Sequence, residues 1–496
     1  MILGDPGQAA GGATLDELFR RAGVRSPDAL ALIDPPNRQG LHGAAPRQLT
    51  YAETDRLISA FAARLRGLGL RSDAIVALQL ANTVESVIAL LGVLRAGMIA
   101  APLPLLWRQQ EIVAALRGVG AKAIVTYGAA PARRAMLAAV ELFPIRHVCA
   151  FGHDLPDGVV PLDDVFAVDA PDCEPGSPRA GPAAAHVAVV TFDVTAAGVT
   201  ALARNHLQLM AGGLGVFLET GMAQAANILS AIPPTSFSGI ALTLLPWLFS
   251  GGTLALHHGG DPELLAAQCG GLADTTLMLP GPALAPLAEA GRLDAGVKTI
   301  AALWRAPERL AVDPRWPGEA ALVDVASFGE TGLVASRRAC DGLPAPIPHG
   351  SVGAPRGAAG AVTVAETART RLGTLALRGP MMPQPFPPGA EAGGAPDGFL
   401  DTGYTCRLEG DGLTVTGPPG GVLAVGGYRF SQQSLDAELA SIDPAATLMA
   451  VPHGILGQRL AGAAPDPLAA RAALHERGVN PLIADAFRAP DQADAA

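Results

Sequence analysis

The sequence predicts an α/β protein with a large multi-layer N-terminal domain that carries a β-rich subdomain, followed by a small α+β C-terminal domain. Three observations lead there. Helix and strand signals alternate through the first third, and apolar strand-like runs recur to about residue 326, as in parallel sheets covered by helices. After about Gly350 the texture changes to short strand-like pieces separated by Gly and Pro. Finally, Gly417-Pro418-Pro419-Gly420-Gly421 reads as a linker, with a short αβ unit behind it. At 496 residues the chain is too long for one ordinary core. The expected division is 1–417, with the β-rich part at about 350–417, and 418–496.

The elements follow in order. Thr50 with Glu53 forms a capping box, and Leu57, Ile58, Phe61, Ala62, Leu65 and Leu68 then repeat at helical spacing. Residues 74–80 read as a buried strand, 84–95 as a helix, and 98–102 as another apolar strand. Further strands are expected at 123–126, 187–191, 253–257, 276–279, 298–302 and 322–326, and in the β-rich part at 374–377 and 413–416. Beyond the linker come a strand at 422–425, a helix capped by Ser431 and a strand at 448–451. The tail 491–496 is expected to fray.

Composition narrows the function classes. A net charge of −10 without a basic stripe argues against nucleic-acid binding. The five cysteines are far apart and show no metal spacing, so reduced thiols and no metal site are expected. Residues 1–13 have neither a basic n-region nor a long apolar run, so no secretory signal is expected. The most apolar stretches are broken by Arg, Pro or Gly pairs and read as core helices and strands rather than membrane spans. A cytoplasmic protein is the resulting expectation.

The order of several segments carries a resemblance. Leu94-Arg95-Ala96-Gly97-Met98-Ile99-Ala100-Ala101-Pro102-Leu103, then 232–239 with 245–256, then Phe328-Gly329-Glu330-Thr331-Gly332, then 373–380, 397–403 and 426–438 occur in sequence. This series resembles the adenylate-forming superfamily of acyl- and aryl-CoA synthetases, luciferase and adenylation domains. The resemblance covers about residues 15–460. It implies that fold, with the C-terminal domain as a moving lid, and an acyl pocket walled by 227–239, 277–281, 301–304 and 325–329. Ser236, Phe237, Gly239, Ala302 and Trp304 are the pocket candidates.

The resemblance also assigns nucleotide-binding positions, and there this chain departs from the pattern. The phosphate loop of the family, rich in Ser, Thr and Gly and ending in Pro-Lys-Gly, corresponds to residues 191–202. These keep Thr191, Thr195, Gly198 and Thr200 but contain no lysine. They also bring Asp193, whose charge would oppose a phosphate 4 Å away by about 4 kcal/mol at an effective dielectric of 20. A ligand-free loop between strand and helix is the plainer reading. The adenine motif, usually Gly-Gly-Ala-Pro, is Trp304-Arg305-Ala306-Pro307. An indole and a guanidinium would fill that space, or Trp304 would stack on a flat ligand.

The remaining positions of the site depart in the same direction. The magnesium glutamate is Gly332, with Thr331 and Glu330 beside it and Phe328-Gly329 before it; the ribose aspartate is Tyr404; the following arginine is Pro418. The chain has two lysines, Lys122 and Lys298, so the C-terminal catalytic lysine is missing, and Arg488 is the nearest cation. No catalytic residue is therefore assigned; Thr331, Glu330 and Arg488 remain candidates.

Two function classes follow. One is a non-catalytic or weakly active relative, a pseudoenzyme, that binds a small carboxylic acid, an acyl or aryl ligand, or a partner enzyme. The other is an active carboxylate–CoA ligase that uses ATP, Mg and CoA and works through an acyl-adenylate. The convergence of the losses on one ligand favours the first.

Overall fold

The computed structural model describes residues 13–167, 183–293, 296–312, 315–353, 363–388, 397–453 and 457–488. The stretch 1–12, Cys173 and the tail 491–496 lie outside these residues.

Two eight-stranded sheets form the frame. In the first, Leu30–Ile33, Thr253–Leu256, Asn227–Ser230, Thr275–Pro280, Val297–Trp304 and Ala321–Phe328 run parallel. Antiparallel edge strands, Gln48–Thr50 and Gly332–Arg337, close its two ends. The second sheet has parallel strands at Val187–Thr195, Ile99–Pro102, Ile75–Leu78, Ala123–Tyr127 and His147–Phe151.

The helices explain why the sheets stack. Val84–Arg95 and Phe237–Ser250 are apolar almost all round, and such helices must be covered on every side. They lie with Tyr51–Gly67 and His206–Thr220 in the largest core cluster, which draws Leu32, Ile228 and Leu254 from the first sheet and Val76, Ala100 and Val189 from the second. The outer face of the second sheet packs under Gln109–Arg117 and Ala129–Glu141 through Ile112, Ala135 and Ile124. That of the first sheet packs under Pro262–Gly270 and Leu284–Glu289 through Leu265, Leu287 and Leu277. The result is an α/β/α/β/α stack, a mixed α/β fold with a large N-terminal domain. Both members of the Thr50–Glu53 capping box are made at the start of Tyr51–Gly67.

A third sheet, of six strands and wholly antiparallel, spans Ile347–Pro348 to Gly412–Gly417. Past Gly417 the chain builds a hairpin, Val422–Val425 with Tyr428–Ser431, and the helix Gln432–Ile442, capped by the Ser431 hydroxyl. Thr447–His453 follows and pairs with a strand not foreseen from the sequence, Gly457–Ala463. This C-terminal part has its own core around Val425, Phe430, Leu435, Leu460, Leu474 and Phe487. Among the described residues no helix is long and apolar enough to cross a membrane.

One element departs from expectation. Residues 191–202 form no loop between strand and helix. Val187–Thr195 and Gly198–Asn205 pair as a hairpin up to Thr195 opposite Gly198, leaving a two-residue turn at Ala196-Ala197. Strand alternation is the cause: Val190, Phe192 and Val194 pack with Ala203 into the core under the second sheet, and Val199 and Ala201 lie against it. The remaining inward positions, Thr191 and Asp193, are buried on the opposite face.

Candidate functional site

The hairpin, the ends of the first sheet and the C-terminal domain surround one cavity of about 630 Å³. Apolar walls come from Trp107, Phe192, Ile232, Leu279 and Leu303. Ser236, Arg305 and Gly329 line it from the large domain, and Gly427, Tyr428 and Arg429 from the small one.

At one end of the cavity the two domains are joined through charge. Arg429 Nη1 lies 2.7 Å from Asp193 Oδ1, and its other terminal nitrogen donates to the Tyr404 hydroxyl. Tyr404 is buried, donates in turn to the Arg305 carbonyl at 3.3 Å, and meets Phe328 edge to face. Burial pushes the Tyr404 hydroxyl up to about 12, so it stays protonated. Asp193 Oδ2 accepts from the Glu330 N–H at 3.0 Å. Gly329 is required there: its φ is +59°, and a Cβ would stand 2.2 Å from Asp193 Oδ2 and 2.4 Å from Arg429 Nη1.

Glu330 is buried and accepts from the Phe237 N–H at 2.8 Å, at the start of Phe237–Ser250. Burial first, and Asp193 second, hold its carboxyl above the usual range. Arg204 lies behind it, fully buried, stacked 3.6 Å over the Phe237 ring and donating to the carbonyls of Glu330, Thr331 and Met381. Burial pulls this guanidinium down to about 9.

Three further contacts seat the small domain on the large one. The Leu106 N–H donates to the Tyr428 hydroxyl at 3.3 Å, Ser431 Oγ donates to the Ala196 carbonyl at 3.0 Å, and Arg305 reaches the Gly427 carbonyl at 3.5 Å.

The positions singled out from the sequence scatter around this cavity. Arg305, Ala306, Gly329 and Glu330 line it, as does Ser236 among the pocket candidates. Phe237 and Gly239 are buried in the helix behind the wall, and Ala302 belongs to the core beneath the first sheet. Trp304 is also in that core and donates its indole N–H to Asp324 at 2.9 Å, so it neither plugs the cavity nor offers a face to it. The period of two along Val297–Trp304 turns Leu303 inward and Trp304 outward.

Thr191, Thr195 and Thr200 are strung along the hairpin rather than gathered, with Gly198 at its turn. Thr331 contributes a carbonyl to Arg204, and Pro418 lies between the strands Gly412–Gly417 and Val422–Val425. Arg488 bonds the Asp485 carbonyl at 3.2 Å within the small domain and does not line the cavity. Arg204 and Arg429 were missed in the sequence. The one signal for them was Asp193, a carboxylate at a buried strand position that demands a counter-charge. Among the described residues no group of His, Cys, Asp and Glu could hold a metal ion.

A layered α/β domain and a small C-terminal domain that meet over a cavity define the class of adenylate-forming enzyme folds. The family model for AMP-binding enzymes matches residues 19–355, and the chain belongs to that family.

Similar proteins agree. Over 88 residues the chain is 43% identical to a salicyl-AMP ligase / salicyl-S-ArCP synthetase of Mycobacterium tuberculosis, covering 18% of this chain and 15% of the relative. Over 247 residues it is 28% identical to a feruloyl-CoA synthase of Amycolatopsis sp, covering 49% and 46%. These matches thus span less than half of each relative's length. Among solved structures, amide bond synthetase McbA from Marinactinospora thermotolerans superposes with a TM-score of 0.69 at 20% identity, over 94% of both chains. Apo MbtA from Mycobacterium smegmatis gives 0.64 at 24% identity, over 94% of this chain and 89% of that one. Both likenesses concern the fold.

Proposed function

We propose that this AMP-binding family member has given up adenylate formation and binds a small carboxylic acid or acyl ligand in its cavity. The observation that carries the reading is the Asp193–Arg429–Tyr404 clasp. By the order of motifs, Asp193 stands in the phosphate-binding segment and Tyr404 at the ribose position. A lid arginine neutralises the one and bonds the other, so the family's nucleotide groups would meet protein side chains already satisfied by each other. The tight Ala196-Ala197 turn supports the same reading, because the hairpin pairing runs up to Thr195 opposite Gly198 and leaves no long glycine-rich loop to wrap a phosphate. Breaking the clasp to admit a triphosphate would expose Asp193 to like charge. A cytoplasmic setting is part of the same proposal.

The second reading, an active ATP-dependent carboxylate–CoA ligase, draws on the family and on the relatives' printed activities. In that case Arg429 would have to release Asp193 when the lid turns. ATP–pyrophosphate exchange with a panel of aryl and fatty acids separates the two. No exchange above background is expected, and acid-dependent exchange would establish the ligase.

A further inference from the structure

We infer that Arg305 is the anchor for a ligand carboxylate, so that the cavity takes an acid with an apolar body and holds its charged end against the Arg305 guanidinium. The inference rests on the ligand-binding reading above and narrows it to a substrate class.

Arg305 follows directly on the strand Val297–Trp304 and reaches into the cavity. Its two hydrogen bonds go to neutral groups: Ser236 Oγ at 3.1 Å, and the Gly427 carbonyl at 3.5 Å. Among the described residues no carboxylate comes within 4.0 Å of it, although Glu330 attracts it from further off. Two neighbouring charges are engaged elsewhere: Arg429 pairs with Asp193, and Glu330 is held by the Phe237 N–H. Arg309 on the same wall has an unpartnered Nη1 of its own, which adds to the positive character of this part of the lining. Arg305 is the guanidinium there whose hydrogen bonds, to Ser236 and Gly427, hold it in the cavity without a counter-ion.

A cation withdrawn from water without an anion is costly, and burial does hold Arg305 below its ordinary range. An incoming carboxylate removes that cost and accepts two parallel N–H bonds from the fork. Gly427 makes the placement sterically possible, since a Cβ there would lie 2.6 Å from Arg305 Cδ. The rest of the lining selects the body of the ligand: Trp107, Phe192, Ile232, Leu279 and Leu303 present apolar surface.

Benzoate and benzamide, equal in shape and different in charge, test the assignment by calorimetry or thermal shift on the full chain without nucleotide. Both are small against a cavity of about 630 Å³. Wild type is expected to bind benzoate at least about tenfold more tightly than benzamide, as a charge-assisted pair requires. R305M is expected to bring the two within about twofold. Equal binding of benzoate and benzamide to wild type overturns the proposal even if R305M does not fold, and so does an R305M protein that keeps the preference. Phenyl phosphate is the third probe: binding tighter than benzoate would make this a phosphate site and overturn the carboxylate assignment. Mg-ATP binding alongside an intact benzoate preference would refute only the loss of adenylation, so the two failures are distinguishable.

Discussion

Arg429 of the small domain and Asp193 of the large one form a 2.7 Å ion pair whose members are 236 residues apart in sequence, and both side chains are mostly buried. Three neighbours are arranged around this pair. Tyr404 accepts from the same guanidinium, Glu330 donates its backbone N–H to the same carboxylate, and Gly329 leaves the space in which the two charges meet.

Removing one member should strand the other in a poorly solvated place. Asp193→Asn and Arg429→Met are each expected to cost about 3 kcal/mol, the low end for breaking a buried pair. The double variant should lose at least about 1.5 kcal/mol less than the sum of the two. A double-mutant cycle on urea unfolding checks this, and strict additivity would mean the pair contributes no coupling.

The same pair should hold one arrangement of the domains. Val24 and Leu468 are exposed on the large and small domains and suit spin labels once exposed Cys340 is replaced by Ser. One distance population is expected with or without Mg-ATP, and a second should appear in the Asp193→Asn/Arg429→Met background. Two exchanging populations in the otherwise wild-type chain would count against the clasp.

Gly329→Ala combines an unfavourable φ with a direct collision on both charges. A loss of about 2 kcal/mol is expected from the strained backbone alone, with the Asp193–Arg429 coupling abolished as well. Thermal unfolding of this variant alone and in an Asp193→Ala/Arg429→Met background tests it: with both side chains shortened, Gly329→Ala should cost little beyond its backbone strain.

Tyr404→Asp would supply the carboxylate that the family resemblance places at the ribose position. Residues that work as one unit are strongly non-additive, and the hairpin turn, Gly332 and the missing lysine are untouched by the change. Pyrophosphate exchange should therefore remain at background. Robust exchange from this single substitution would mean that the rest of the site is competent.

A pH effect is expected at His258, between the cavity-lining residues His257 and Gly259. His258 Nδ1 accepts from the Asn82 N–H at 3.2 Å, and burial, aided by His257 and His42, pulls the ring down to about 4. Its unfolded value is near 6.5. Between these values the unfolded chain binds the proton and the folded chain does not, so this contribution is present above pH 6.5 and is lost as pH falls through about 4. Thermal midpoints from pH 7 to pH 4 should drop less steeply for His258→Gln than for wild type.

The sequence made the layered frame legible because its signals are local or periodic. The capping box at Thr50 and Glu53, the all-apolar helix at 84–95 and the alternating strand runs depend on neighbours a few residues away. The site was only partly legible. Thr191, Thr195, Gly198 and Thr200 suggested a loop by residue type, but the alternation of Phe192 and Val194 with Val199 and Ala201 continues the hairpin through them. Trp304 and Arg305 were read together, yet a strand sends successive side chains to opposite faces, and only Arg305 reaches the cavity. Arg204 bonds carbonyls 126 to 177 residues away and Arg429 pairs with a carboxylate 236 residues away, relations no local pattern encodes.

Mg-ATP binding by the purified full chain is the most direct measurement of the central claim, that the nucleotide region is occupied by the protein's own clasp. Isothermal calorimetry is predicted to show no saturable heat, which places any dissociation constant above about 1 mM, or about −4 kcal/mol. A saturable isotherm with a dissociation constant at or below about 1 mM would contradict the account and return the protein to the working ligases.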